Sequence, residues 1–120
     1  MENTIKPLKI FKFQYGVDGC SAPQYAFKIV ELLNSLKNIL KSLSGKFDYE
    51  KEITLLINSI SNNPYYIGGT HKLDSNLMRI TKGEIFCKGG AEGVFLFAHL
   101  KKGLFGVFKV SDGNERALSS

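Results

Sequence analysis

The strongest constraint on the fold is a pair of apolar, aromatic segments in the later part of the 120-residue sequence, at 94–100 and 104–110. The short gap between them contains Gly103. Two such segments with a glycine-containing connection are typical of an antiparallel β-hairpin. A hairpin needs further elements to cover its apolar face. The pattern therefore predicts an antiparallel sheet with packed helices.

A shorter β-like segment, 84–88, precedes the hairpin and ends in Gly89 and Gly90. Two consecutive glycines let a backbone turn sharply or let a ligand approach it closely. Lys88 stands directly before them. We interpret it either as a cation directed into a cleft or as a solvated lysine at a strand edge.

Three helices are predicted from the spacing of apolar residues at three and four positions. The first covers 24–44 and ends near Gly45. The second covers 48–61, with Asp48 as its cap and 62–64 as its stop, and the third covers 74–80. Their inward apolar side chains include Leu36, Leu56, Ile57, Leu77, Met78 and Ile80.

The N-terminal part is predicted to form a strand over 8–15 that ends at Gly16. A block dense in turn residues follows, in which Ser21 is a plausible helix cap and Pro23 fits the first helical turn. Asp18 and Cys20 share this loop, and their side chains are candidates for lining one pocket. Residues 65–71 are predicted as another loop because they contain two glycines.

The length indicates one domain over residues 1–120, and the predicted strands and helices make the fold class α+β. The apolar runs are too short to cross a bilayer, and the N-terminus lacks the features of a secretory signal, so we expect a cytoplasmic protein without membrane association. The net charge of +5 comes from dispersed lysines, which argues against nucleic-acid binding.

The two cysteines, Cys20 and Cys87, lack the spacing of a zinc finger or a disulfide framework. Buried free thiols are the simpler expectation for both. The histidines, His71 and His99, lack a partner at ligand spacing and are interpreted as structural.

Four blocks of sequence, in order, resemble the asparaginase II family, the thermolabile type of L-asparaginase. They are Val17-Asp-Gly-Cys-Ser-Ala-Pro-Gln-Tyr-Ala, then Asn63-Pro64 with Gly68-Gly69-Thr70 and 74–78, then Lys88-Gly-Gly-Ala-Glu-Gly-Val-Phe, and finally Lys109-Val-Ser-Asp-Gly-Asn-Glu-Arg-Ala. Any one block alone is weak, but their order is specific. The resemblance is to the later portion of the family's domain.

The resemblance implies a fold of the serine β-lactamase and penicillin-binding-protein type, with helices on both faces of an antiparallel sheet. It also implies a serine nucleophile in an S-x-x-K helix, where the lysine activates the serine hydroxyl. The 120 residues contain no S-x-x-K. We therefore expect a fragment that is inactive alone.

Carried over by motif, the resemblance makes Lys88 the counterpart of the active-site lysine and Asp18 a candidate for binding the substrate's α-amino group. Gly89 and Gly90 then form the wall of the substrate cleft, although Gly89 replaces the hydroxyl residue usual at that position. Cys20 becomes a candidate metal ligand. Two alternatives stay open: Asp18 simply holds its turn, and Cys20 is a buried small residue.

The implied activity is hydrolysis of L-asparagine to L-aspartate and ammonia, once an N-terminal portion supplies the nucleophile. Zinc is expected, if at all, only in the complete enzyme, because one thiolate cannot form a site that needs three or four ligands. The alternative is a non-catalytic remnant that binds an amino acid or associates with itself. A fragment exposing strand edges and apolar helix faces favours self-association or a complementing chain.

Overall fold

A computed structural model describes residues 10, 12–45 and 49–114. The architecture is mixed α/β with antiparallel sheets, as the sequence predicts. The likeness to the serine β-lactamase fold stays a prediction. In chain order the elements are β1 (Gln14–Val17), β2 (Pro23–Ala26), α1 (Ile29–Leu43), α2 (Glu50–Asn62), α3 (Pro64–Gly68), α4 (Leu73–Ile80), β3 (Ile85–Gly90), β4 (Val94–His99) and β5 (Leu104–Lys109).

The predicted hairpin is confirmed as β4 and β5, and β3 pairs antiparallel with the other side of β4. On β4, Phe95 lies opposite Gly89 and Ala98 lies opposite Phe86. Phe95 and Ala98 point to opposite faces because their positions differ by an odd number. Both side chains are buried. Each face of this three-stranded sheet is therefore covered where these two side chains lie.

The core lies between α4 and the sheet. Met78 of α4, Cys87 of β3 and Phe95 of β4 are buried together, and Ile60, Ile67 and Leu77 pack against them. At the opposite edge of the three-stranded sheet, α1 packs against β5. The apolar spacing of the helices thus brings α4 directly against the strand that carries Lys88.

The long helix predicted at 24–44 is confirmed, but α1 begins at Ile29. The residue before it, Lys28, is extended with φ −67° and ψ 146°. Leu36 is among the residues that α1 buries, as its spacing predicts. The helix ends at Leu43, and the backbone N–H groups of Ser44 and Gly45 then donate to carbonyls of the last turn.

The predicted helix start at Ser21 and Pro23 is wrong. Pro23 begins β2, which pairs with β1 so that Pro23 lies opposite Val17. Ser21 lies in the connection, where its φ is +61°. The strand predicted at 8–15 is shifted, since β1 starts at Gln14 and continues through Gly16, and residues 8, 9 and 11 lie outside the described part of the chain.

Two further predictions need correction, one about residues 65–68 and one about the burial of Leu56 and Ile80. Residues 65–68 form part of α3 rather than a loop, because Pro64 occupies the first turn of a new helix, where it is well tolerated. Leu56 and Ile80 are 56% and 69% exposed rather than buried. The helix predicted at 48–61 is confirmed as α2, while its proposed cap, Asp48, lies outside the described residues.

The helices of the described residues are short relative to a bilayer. The longest, α1, has 15 residues, whereas a membrane span needs about 20. No helix in the ranges 12–45 and 49–114 is long and apolar enough to cross a membrane.

Candidate active site

Lys88 lies on β3 between a core residue and a glycine. Cys87 is fully buried, and its Sγ is 3.5 Å from the backbone oxygen of Asp74 on α4. Because neighbouring side chains on a strand point to opposite faces, Lys88 leaves β3 on the side away from Cys87. Its side chain is 46% exposed. The lysine therefore follows a core residue directly, and its own side chain is half-exposed.

A buried carboxylate, Asp74, faces the same segment of β3. Its side chain is only 6% exposed, and Oδ2 lies 3.7 Å from Lys88 Nζ. The same Oδ2 accepts a hydrogen bond of 3.0 Å from Gly89 N–H. Oδ1 accepts a bond of 2.9 Å from Ser75 N–H, in the first turn of α4. A buried carboxylate is stable when it has such partners.

The surroundings of Asp74 are tightly built. A Cβ added at Gly68 would lie 2.0 Å from Asp74 Oδ1 and 2.4 Å from Ser75 Oγ, so the chain passes the carboxylate where only glycine fits. Ser75 Oγ also donates to the backbone oxygen of Pro64 at 3.1 Å. These contacts fix the start of α4 against α3.

Gly89 and Gly90 have an extended backbone. They do not form the sharp turn that is one of the two interpretations of this glycine pair. Gly89 and Gly90 complete β3, and the chain turns immediately afterwards at 91–93. A Cβ at Gly89 would lie 3.5 Å from Asp74 Oδ2 and 3.9 Å from Phe95 Cδ2, which are ordinary contacts. The other interpretation, close approach of a ligand, stays a prediction.

Cys87 has the chemistry of a structural thiol. Burial, and after it the nearby Asp74 carboxylate, raise the pKa of the Cys87 thiol to about 12, with Lys88 acting in the opposite direction. The thiolate, which is the reactive form of cysteine, is thereby disfavoured. The structural interpretation of Cys87 agrees with this environment.

Asp18 lies in the connection between β1 and β2. Its Oδ1 accepts hydrogen bonds from the backbone N–H groups of Cys20 and Ala22 at 2.8 and 3.0 Å, and Oδ2 accepts one from Gln24 Nε2 at 3.1 Å. These hydrogen bonds lower the pKa of the Asp18 carboxyl group. The bond from Ala22 has the largest effect, followed by those from Cys20 and Gln24. This geometry favours the alternative in which Asp18 holds its turn.

The structure brings together only some of the predicted site residues. Lys88, Gly89 and Gly90 are consecutive on β3, whereas Asp18 and Cys20 belong to the separate two-stranded sheet of β1 and β2. Sequence reasoning placed Asp74 at a helix start but gave it no part in the site. Its position in one of the four resemblance blocks, after a glycine pair, was the available signal.

The described residues around Cys20 do not form a zinc site. Cys20 is exposed, so burial of its thiol is a wrong prediction, and Asp18 already serves two turn amides. Among the described residues there is no group of three or more His, Cys, Asp or Glu side chains able to hold a metal ion. Structural and catalytic zinc sites use three or four protein ligands.

The protein is thus mixed α/β. Its candidate site consists of the half-exposed Lys88, the glycine pair that follows it, and the buried Asp74 carboxylate that contacts both Lys88 and Gly89. The family is given by comparison with known proteins. The L-asparaginase II family model matches residues 3–120, and the chain belongs to that family. A comparison with curated proteins found no match.

Proposed function

We propose that this chain carries the Lys88 part of the active site of an amidohydrolase that converts L-asparagine to L-aspartate and ammonia. The observation that carries the proposal is the placement of Lys88. In a chain that matches the asparaginase family over residues 3–120, Lys88 is half-exposed and lies between the buried Cys87 and a glycine whose amide is fixed by Asp74.

The chemistry of amide hydrolysis gives Lys88 a role. Attack on the side-chain amide of asparagine places negative charge on the carbonyl oxygen, and a positioned ammonium group stabilises that charge. Gly89 and Gly90 present a backbone without side chains, which allows the substrate to approach β3 closely. We assign Lys88 as catalytic and the two glycines as substrate-binding.

Asp18 is the weaker assignment. Its carboxylate is exposed and ionised, which suits binding of an α-amino group, but it is already committed to the turn. A substrate ammonium would therefore share the carboxylate with Gln24, the side-chain donor in that turn.

The 120 residues contain no S-x-x-K, the motif that the resemblance implies for the nucleophile. We infer that a serine and its activating lysine are supplied by a further segment or a complementing chain, and that the 120 residues alone do not turn over asparagine. If zinc is part of the complete enzyme, that segment must also supply most of its ligands.

The test is ammonia release from L-asparagine, measured with the 120-residue chain alone and with a purified N-terminal portion of a family member that contains S-x-x-K. Circular dichroism confirms that each sample is folded. We expect no activity from the chain alone and activity from the mixture. Turnover by the folded chain alone would contradict the need for a supplied nucleophile.

The role of Lys88 is tested in the active mixture. Lys88→Ala should lower kcat about 100-fold or more, as removal of an oxyanion-stabilising group does in other hydrolases. Lys102→Ala is the matched control, because Lys102 is an exposed lysine in the β4–β5 connection. Equal activity of the two variants would overturn the assignment.

A second candidate function, self-association without catalysis, is favoured by one observation. Several apolar side chains of α2, α3 and α4 are more than half exposed, namely Leu55, Leu56, Tyr65, Tyr66 and Ile80. Large exposed apolar surfaces mark interaction sites in many proteins. A second copy of the chain is the partner proposed for this surface.

A further inference from the structure

We propose that Asp74 is a positioning residue that holds Lys88 and the Gly89 amide in place at the end of β3. The proposal rests on the proposed function of Lys88 and assigns a role to a carboxylate that lies outside the site residues predicted from the sequence. It concerns how the lysine is oriented rather than which bond is broken.

The first step is that one oxygen serves two consecutive residues of β3. Asp74 Oδ2 accepts the Gly89 N–H at 3.0 Å and lies 3.7 Å from Lys88 Nζ. A change in the position of this oxygen therefore acts on the backbone of one residue and on the ammonium of its neighbour. Lys88 Nζ also donates to the backbone oxygen of Gly89, which joins the three groups in one cluster.

The second step is that the carboxylate itself is immobilised. Asp74 is 4% exposed, and its other oxygen accepts the Ser75 N–H at 2.9 Å. Gly68 passes so close that an added Cβ would overlap Oδ1. Side chains held by packing and hydrogen bonds are those that keep a functional group in a fixed geometry.

The third step is the length of the Lys88 contact. At 3.7 Å the ammonium and Oδ2 attract each other electrostatically without a short direct hydrogen bond. The ammonium is consequently guided by the carboxylate and still has donors available for a substrate oxygen. A surface ion pair beside the same sheet, between Glu84 just before β3 and Lys101 in the β4–β5 connection, has no such buried partner, because the Glu84 side chain is 45% exposed.

The main variant is Asp74→Asn in the 120-residue chain. In the carboxamide, one of the two oxygens that now accept the Ser75 and Gly89 N–H groups is replaced by an NH2 donor, so one of these N–H groups loses its acceptor in the present geometry, and the uncharged group no longer attracts the ammonium. We expect at least one of these two amides to exchange with solvent about tenfold faster in NMR hydrogen exchange. Acetylation of Lys88 by an N-hydroxysuccinimide ester should rise about two- to fivefold relative to Lys102.

Ser75→Ala is the matched control. It removes the bond from Ser75 Oγ to Pro64 at the same helix start, and leaves the carboxylate of Asp74 in place. A purely structural effect would raise the acetylation of all lysines together, whereas loss of positioning raises Lys88 relative to Lys102. The proposal is overturned if Asp74→Asn leaves this ratio unchanged, or if Ser75→Ala raises it equally.

Gly68→Ala provides a second variant that keeps the Asp74 side chain. The new Cβ has to displace Oδ1, so the ratio of Lys88 to Lys102 acetylation should rise as in Asp74→Asn. Gly19→Ala is its control, because a Cβ there meets no atom within 4 Å. An unchanged ratio in a folded Gly68→Ala protein would count against the proposal.

Added L-asparagine separates the two hypotheses. Protection of Lys88 from acetylation by asparagine, measured in the mixture of the unmodified chain with the N-terminal portion, supports the proposed function, and loss of that protection with Asp74→Asn supports positioning for substrate. If asparagine gives no protection in that mixture, binding of substrate at Lys88 is refuted. The acetylation ratio still decides whether Asp74 positions the lysine.

Discussion

At the scale of single residues, Asp18 shows how a carboxylate can define a turn. Its two oxygens accept two backbone N–H groups and one side-chain amide, all from within six residues. Acceptance of these bonds favours the ionised form and lowers the pKa of the carboxyl group. The geometry of the connection therefore depends on the charge of one exposed side chain.

Acid should weaken this turn. Because the folded-state pKa lies below 3.8, the ordinary value, the stabilisation is complete above 3.8 and is lost as the pH falls through the folded value. The amide shifts of Cys20 and Ala22, followed by NMR against pH, should titrate with a midpoint below 3.8. In Asp18→Asn this transition should disappear, and a midpoint of 3.8 or higher in the unmodified chain would contradict the assignment.

Sequence reasoning identified Lys88 but missed its carboxylate partner. Asp74 is 14 positions away and on a helix, and the approach of its Oδ2 to the Gly89 amide depends on how α4 packs against β3. A pattern of apolar spacing predicts that the helix exists, but not which polar side chain of its first turn meets the strand. Packing decides such contacts, and the sequence carries only a weak signal of them.

At the scale of elements, an aromatic pair packs between β4 and β5, and one of its rings lies against a glycine of β5. The rings of Phe97 and Phe108 stack with centroids 5.5 Å apart. Gly106 lies directly opposite Phe97, and a Cβ there would be 2.5 Å from Phe97 Cε1. The missing side chain provides the space that the Phe97 ring occupies.

Gly106→Ala should consequently destabilise the protein. The added methyl group forces the Phe97 ring to move within a packed sheet, and overpacking of this kind costs about 1–3 kcal/mol. Gly16→Ala is the matched strand control, since its Cβ meets nothing within 4 Å, and should change the free energy of unfolding by less than about 0.5 kcal/mol. Urea unfolding followed by circular dichroism compares the two, and equal midpoints would contradict the steric explanation.

The elements also show which sequence patterns were sufficient. The β4–β5 hairpin and α1 were predicted because their signals are local: a glycine-containing connection in one, and a repeated apolar spacing in the other. Strand β2 was missed because Pro23 fits the first turn of a helix and also the first position of a strand. In the structure Pro23 pairs with Val17, which makes it a strand residue. The local sequence pattern does not indicate such a pairing partner.

At the scale of the whole molecule, the helices that support the site also leave apolar surface uncovered. Leu55 is 70% exposed and Tyr66 is 86% exposed. The buried side of the same elements forms the core around Met78 and Cys87. Buried side chains of these elements thus support β3, while Leu55 and Tyr66 stay exposed on the same elements.

Self-association through this surface is expected to depend on Leu55. Burying a leucine at an interface contributes about 1.5–3 kcal/mol, so placing a charge there should weaken association about tenfold or more. Leu55→Glu is compared with Asn58→Glu, which adds the same charge at an exposed polar position of α2. Sedimentation velocity over a range of concentrations should show association of the unmodified chain and of Asn58→Glu, and a monomer for Leu55→Glu. A monomeric unmodified chain at every concentration would remove self-association as a function of this surface and leave a complementing segment as the partner to test.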